Sequence, residues 1–456
     1  MKTGFIKNRS ELVLHGNRKL RNAAVSILEY ALNLANPYES TRKILKVTEN
    51  KIKIGNISFN LSRLGNIYVL GAGKASLPIA KAIEDTLNDK ITDGIIIVKK
   101  GQKGNLKRIS VFEAGHPIPD EDGINATKQI VNIAKRAKEN DIVFCPLTGG
   151  CSSLLVLPAD NISLEDKRIV SKLLLNSGAP IQDINTVRRH LSLVKGGRLA
   201  QYIHPATCIT LSLRTTYDDM PWPDPTLPDP TTFNDAITIL KRYNVMDKVP
   251  ESVKRHLLHG ANDPTMETVK SLDNMKIYTF YVVDRIKVCE KIVEYARRRG
   301  FNSCILSTKI EGESKDVGII FASLASEIEE FGRPFKPPCA IIVSGETTVS
   351  MCNGNGVGGP SQELALAAAI QLDKNKSRRA VIAAIDTDGN DGITDAAGGI
   401  VDYSTVCRLK KLGVDANREL RNHNSYFALK SSEDLIVTGF TGTNIMDLNI
   451  ILVGRK

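Results

Sequence analysis

Four apolar runs, at 67–70, 95–98, 142–147 and 207–213, are each separated by a segment of helical spacing. No other feature restricts the fold of this chain so much. Strands that are apolar at every position are buried on both faces, and strands alternating with helices join in parallel. The expectation is therefore an α/β protein with a parallel sheet, helices on both of its faces, and a second α/β unit after it. That second unit is read from strands at 276–283, 302–308, 339–345 and 380–385, helices at 286–299, 315–331 and 361–372, and late apolar runs at 435–438 and 449–453. Ser163 is placed to cap a helix. Apolar positions at Leu20, Ala24, Ile27, Leu28, Ala31 and Leu32 suggest an amphipathic helix laid on the first domain. Five prolines at 221, 223, 225, 228 and 230 exclude a helix or inner strand there.

Ligands of open α/β sheets bind beyond the carboxyl ends of the strands, so the residues that follow each run are the candidates for chemistry. After the first run the chain reads Gly71-Ala72-Gly73-Lys74-Ala75-Ser76. Glycine allows close backbone approach, free N–H groups at a helix start attract anions, and Lys74 adds a full charge. The turn is neither a Walker loop nor a complete dinucleotide fingerprint, because Ala75 follows Lys74 and Ser76 stands where the third glycine belongs. Phosphate or carboxylate binding and a turn that needs glycine only for packing both fit these residues.

Further candidates follow in order. Thr148-Gly149-Gly150-Cys151-Ser152 offers amides and hydroxyls to an anion. Arg188, Ser192 and Lys195, after Asn185, share one face if the segment is helical, which suits a carboxylate or phosphate. Gly345 and Glu346 end a strand, and Gly354, Gly356, Gly358 and Gly359 lead into a helix starting near Ser361, Gln362 and Glu363, a loop that would cradle phosphates. Asp386, Asp388, Asp391 and Asp395 gather hard oxygen ligands suited to Mg²⁺ beside nucleotide phosphates. Thr441 and Asn444 close a last strand end.

The net charge of +11 suits an anionic ligand, but the basic residues are scattered, so nucleic acid is not expected as a partner. No apolar stretch reaches a membrane span, no signal peptide opens the chain, and the eight dispersed cysteines read as reduced core residues, so a cytoplasmic protein without a membrane partner, with homo-oligomers open, is expected.

The ordered set of motifs resembles the ATP-dependent class II glycerate 2-kinases, whose C-terminal part is the MOFRL domain and whose members were often labelled hydroxypyruvate reductases. The likeness is carried by Gly71–Ser76, Gly115-His-Pro-Ile-Pro-Asp120, Leu147–Ser152, Ser177-Gly-Ala, Asn185–Ser192, Lys195–Arg198, Thr226–Thr232, Asp386–Gly392 and Thr441–Asn444. It implies an N-terminal Rossmann-like glycerate kinase domain over 1–250, a connecting α/β segment over 251–335 and a smaller α/β MOFRL domain over 336–456. It also implies a cleft between domains where Mg·ATP phosphorylates the 2-hydroxyl of D-glycerate or a similar hydroxy acid. On that resemblance Lys74, Asp386 and Arg188 are catalytic, and Gly71, Gly73, Ser76, Gly149, Gly150, Ser152, Asn185 and Lys195 bind the acid. Gly345, Glu346, Gly356, Gly358, Gly359, Gln362, Glu363, Thr441 and Asn444 bind the nucleotide, and Asp388 and Asp391 the metal. Three positions depart from the family pattern: Leu213 and Asp224 in the segment before Pro225, and Pro360 where an arginine is usual. A diverged homologue that binds nucleotide or hydroxy acid in a regulatory role is the alternative reading, and an oxidoreductase a third.

Overall fold

The computed structural model describes residues 4–215, 225–350 and 356–455. The expected prolines 221 and 223, the departure at Asp224 and the glycine at 354 lie outside the described residues. The chain divides into two compact units, Pro37–Val282 and a composite of Met1–Asn36 with Val283–Lys456.

The first unit opens with a small antiparallel meander, β1 (Leu45–Val47), β2 (Lys51–Ile54) and β3 (Ile57–Asn60). Its main sheet holds β4 (Ile67–Ala72), β5 (Asp93–Lys99), β6 (Ser110–Ala114), β7 (Ile142–Pro146), β8 (Thr207–Arg214) and β9 (Ile277–Asp284), in the order β6-β5-β4-β7-β8-β9. The pairs β6–β5, β5–β4, β4–β7 and β7–β8 are all parallel. On one face Leu70, Ile97 and Cys145 pack against Ala126, Ile130 and Ala134 of the helix Glu121–Ala134. The alternate residues Val69, Ile96 and Phe144 are equally buried, as a sheet covered on both sides requires. The apolar run at 276–283 was expected in the second unit; it is the sixth strand here. Ser163 caps its helix, with Asp166 completing a reciprocal capping box.

The strand order fixes where a ligand belongs. From β4 the chain winds outward through β5 and β6, then crosses back to lay β7 on the other side of β4. The loops leaving β4 and β7 therefore run in opposite directions, which opens a crevice beyond their carboxyl ends.

The composite unit has a mixed sheet of β10 (Asn302–Ile310), β11 (Cys339–Gly345), β12 (Ala380–Asp386), β13 (Gly398–Asp402), β14 (Leu435–Ile436) and β15 (Asp447–Val453), ordered β10-β11-β15-β12-β13-β14. Only β10–β11 is parallel; β15 runs antiparallel between β11 and β12. Ile341, Val343, Ile382 and Ile451 form its core with Phe321, Ala325, Leu364 and Ala368 of the helices Ser314–Phe331 and Pro360–Lys374. The amphipathic helix Arg18–Leu34 packs in this unit, against the helix Arg285–Arg298 and strands β12 and β15, and not on the first domain as its apolar stripe suggested. An apolar face says that a helix is buried, not what buries it. Among the described residues no helix is long and apolar enough to cross a membrane.

Candidate functional site

The turn after β4 lies at the crevice. A Cβ on Gly71 would fall 2.4 Å from the Pro146 carbonyl oxygen, and one on Gly73 would fall 2.2 Å from Thr148 Oγ1, so both glycines are there because the exits of β4 and β7 interlock. Gly73 also has φ +136, which other residues rarely adopt. The expectation of free amides is corrected by the structure: Gly73 N–H donates to Ile97 O (3.1 Å), Lys74 N–H to Gly149 O (2.8 Å) and Ser76 N–H to Gly73 O (3.2 Å). Ala75 N–H donates to Thr148 Oγ1 at 3.0 Å, and Pro78 in the first turn of the helix has no N–H. These four amides are spent on holding the turn together, and the Lys74 side chain adds a positive charge at its edge. That side chain is half-exposed. Its Cγ lies 3.3 Å, and the His116 ring 3.2 Å, from where a Cβ on Gly150 would stand, so Lys74, His116 and the left-handed Gly150 (φ +89) meet at the mouth of the crevice. Ser76 is fully buried, its hydroxyl donating to Gly73 O at 2.8 Å, and Ser152 sits in the short helix Cys151–Leu154 that follows Gly150.

Gly73→Ala combines a left-handed backbone with a Cβ pressed into Thr148. It is expected to cost about 3 kcal/mol of stability, read as a lowered midpoint in chemical denaturation.

The basic segment differs from its expected form. Its helix, Ile181–His190, stops before Ser192 and Lys195, so these do not share a helix face with Arg188. Ser192 instead bridges antiparallel to Pro158, and Lys195, almost fully buried, donates from Nζ to Leu155 O at 3.3 Å. Arg188 donates from Nε to Ser171 Oγ at 3.3 Å. Asn185 is buried in the same helix. Arg189 pairs with Asp229 at 2.5 Å, both buried, and His190 Nδ1 meets Thr186 O at 2.8 Å, a structural use of each. One residue here escaped the sequence reading. Lys167 stands on the buried stripe Leu164, Lys167, Val170, Leu174 of the helix Leu164–Asn176, and a lysine at an apolar position of a helical repeat was the available signal.

In the composite unit, the aspartate loop folds onto the start of the helix Pro360–Lys374. Asp391 Oδ1 accepts Ser361 N–H (3.1 Å) and Oδ2 accepts Gln362 N–H (2.8 Å), so this carboxylate caps the helix end that was expected to cradle phosphate. Burial pushes its carboxyl up to about 7 against the pull of those amides. Gly359 is explained by contact with Asp391, Gly358 by Ser425 and Gly356 by the backbone of Asn422 and His423; a Cβ would come within 2.4 Å or less in each case. Gln362 Nε2 donates to Asp391 O and Thr394 Oγ1, and Glu363 pairs with His423 Nδ1 at 2.9 Å. The space beside Gly356, Gly358 and Gly359 is thus filled by the chain itself.

Asp386 ends β12, with Oδ1 accepting Asp388 N–H at 3.0 Å, while Asp388 Oδ1 accepts Asn390 N–H at 2.8 Å. Directly across from Asp386 in the sheet stands Asp447, also missed by the sequence reading although it precedes an apolar run. Burial, then the neighbouring charge of Asp386, drives the Asp447 carboxyl well above the usual range. Thr441 holds this end together by donating to Thr387 O at 2.6 Å, and Asn444 accepts Met446 N–H at 3.2 Å. Gly345 closes β11 against Ile310, and Glu346 beyond it is exposed. Among the described residues no group of three His, Cys, Asp or Glu is arranged to hold a metal ion.

Two family models match the chain: a domain of unknown function (DUF4147) over residues 23–258 and the MOFRL family over 339–447. The chain is 43% identical to the glycerate 2-kinase of Pyrococcus horikoshii over 96% of its own length and 98% of that protein. It is 39% identical to the D-glycerate 2-kinase of Thermotoga maritima over 95% and 98%. Among solved structures it superposes on a crystal structure of glycerate kinase from Thermotoga maritima with a TM-score of 0.79 at 37% identity, covering 95% of this chain and 99% of that one. A Pyrococcus horikoshii crystal structure gives a TM-score of 0.76 at 43% identity, over 96% and 99%.

Proposed function

The chain belongs to the glycerate 2-kinase family of paired DUF4147 and MOFRL domains, and from that premise we propose that it transfers the γ-phosphoryl group of ATP to the 2-hydroxyl of D-glycerate or a similar small hydroxy acid. The observation that carries the reading is the convergence of Lys74, His116 and Gly150 at the switch point of the parallel sheet. Phosphoryl transfer asks little covalent chemistry of a protein; it asks for positioning and for cations aimed at the charge that builds on the moving group. Lys74 supplies such a cation, and Arg188 and Lys195 supply charge for the acid's carboxylate.

The nucleotide is assigned to the composite unit, at the strand ends marked by Gly345, Glu346, Thr441 and Asn444. The Gly356–Glu363 stretch fits this role poorly, because its glycines are packed and its helix end is capped by Asp391. Magnesium carried with ATP takes one or two protein carboxylates and neutralises charge on the phosphates; Asp386 and Asp388 fit that need, while both Asp391 oxygens are engaged by amides. Pro360, at the first position of its helix, cannot replace the forked cation of an arginine. That departure supports the second reading, a relative that binds the ligands in a regulatory role with little turnover. An oxidoreductase is disfavoured, since Ser76 fills the place of the third dinucleotide glycine and is buried.

The deciding assay is purified protein with Mg·ATP and D-glycerate, following ADP release and the phosphoglycerate isomer, with an NADH and hydroxypyruvate control. Formation of 2-phosphoglycerate is expected. Nucleotide binding without turnover across a panel of hydroxy acids would shift the reading to the regulatory relative.

A further inference from the structure

The first unit gathers positive charge where a folded chain ordinarily avoids it. Lys167 is 7% exposed and Lys195 1% exposed, against a usual placement of lysine at the surface. The two are brought together by the antiparallel bridge of Pro158 to Ser192: Lys167 Nζ donates to Leu191 O at 3.0 Å on one side of it, and Lys195 Nζ to Leu155 O at 3.3 Å on the other. Lys167 and Ser171 are one turn apart on the helix Leu164–Asn176, and Ser171 holds the Arg188 guanidinium, so Arg188 lies beside Lys167. Arg198 closes the group, donating to Arg189 O at 3.4 Å and Met266 O at 2.7 Å. Among the described residues neither Lys167, Arg188 nor Arg198 forms an ion pair with a carboxylate, and these hydrogen bonds of the three go to carbonyl and hydroxyl oxygens, which do not neutralise charge.

Helix C-termini attract cations, and the carbonyls of Arg189 and Leu191 follow that rule. One lysine would satisfy them. Four cations converging on the same region, two of them buried, repel one another and lose their hydration. We propose that Lys167 and Arg198 join Arg188 and Lys195 in a pocket for one small anion, the carboxylate of the hydroxy-acid substrate. This rests on the proposed kinase reading for the identity of the acid, but not for the existence of the pocket. Burial, then the charges of Lys195, Arg188 and Arg198, hold the Lys167 ammonium well below its usual range. Among the described residues no carboxylate acts on it to offset them, although Glu267 and Asp229 act on Arg198. A bound carboxylate supplies the missing opposite charge and raises the ammonium again. Above the depressed value, binding therefore takes up a proton; well below it, the lysine is already charged and no uptake occurs.

The test is calorimetry of the full-length protein with D-glycerate and, separately, with sodium sulfate, in two buffers of different ionisation enthalpy, for wild type, Lys167→Met and Lys167→Arg. Wild type is expected to show a buffer-dependent binding enthalpy at alkaline pH. Lys167→Met should bind D-glycerate tenfold or more weakly, raise KM with nearly unchanged kcat, abolish the buffer dependence and keep its melting temperature. Lys167→Arg should recover part of the affinity without proton uptake. Sulfate binding lost in Lys167→Met, with no D-glycerate binding or turnover in wild type, would keep the pocket and remove the kinase reading. Full D-glycerate affinity in a Lys167→Met protein with a lowered melting temperature would reduce Lys167 to a helix cap and overturn the proposal.

Discussion

Lys74→Ala is expected to lower kcat/KM for D-glycerate about 10²–10³-fold, the effect of deleting one preorganised group aimed at transition-state charge. The loss should fall mainly on kcat, because the lysine is placed to answer charge that is largest when the phosphoryl group is in flight. Folding should be spared. The amides of the turn are satisfied by Ile97, Gly149, Thr148 and Gly73 without any help from the Lys74 side chain, which is half-exposed. Lys74→Arg should recover only part of the rate, since a planar fork places its charge differently from a compact ammonium. Steady-state kinetics with a melting curve on each variant checks the pair of claims; a tenfold rise in KM at full kcat would instead make Lys74 a binder of ground-state substrate.

The strands of both units were readable because continuous apolar runs have few other fates in a chain of this composition. The runs at 339–345 and 380–385 reappear as β11 and β12 with nearly the same bounds. Direction and partner were not readable. The segment 277–284 has the same apolar character whether it extends the first sheet or begins a second, and β15 runs antiparallel between its neighbours for reasons set by the whole connection. The candidate site divides in the same way. Gly71 and Gly73 announced a close approach, but the approaching atoms, Pro146 O and Thr148 Oγ1, lie at the end of β7 and just beyond it, more than 70 residues on. The helix end at Pro360 looked open to phosphate because sequence does not show that Asp391 fills it. Lys167 was hidden for a plainer reason: its charge argued for the surface while its helical position argued for the core.

Arg21 presents the largest expected cost to folding. Its guanidinium is fully buried in the composite unit, with Nε donating to Asp402 Oδ2 at 3.1 Å and the fork reaching Asp434 and the Ile400 carbonyl, at 2.9 Å for the latter. Asp402 and Asp434 are both fully buried, and both oxygens of Asp434 accept from one guanidinium nitrogen of Arg408, each at 2.7 Å. Asp402 Oδ2 further accepts Asn17 N–H at 2.8 Å, at the start of the Arg18–Leu34 helix. These bonds bind the first residues of the chain to strands formed almost 400 residues later, which explains why that helix belongs to the composite unit. Arg21→Met keeps the volume of the side chain but leaves Asp402 buried without its cation. Breaking such a pair on one side costs about 3–5 kcal/mol, because the remaining charge is stranded away from water. For a unit of this size the melting transition should fall by on the order of 10 °C. The double change Arg21→Met with Asp402→Asn removes the stranded charge as well and should recover a large part of the loss. A melting curve on the two variants separates a stranded charge from lost packing: no recovery in the double variant would assign the cost to packing alone.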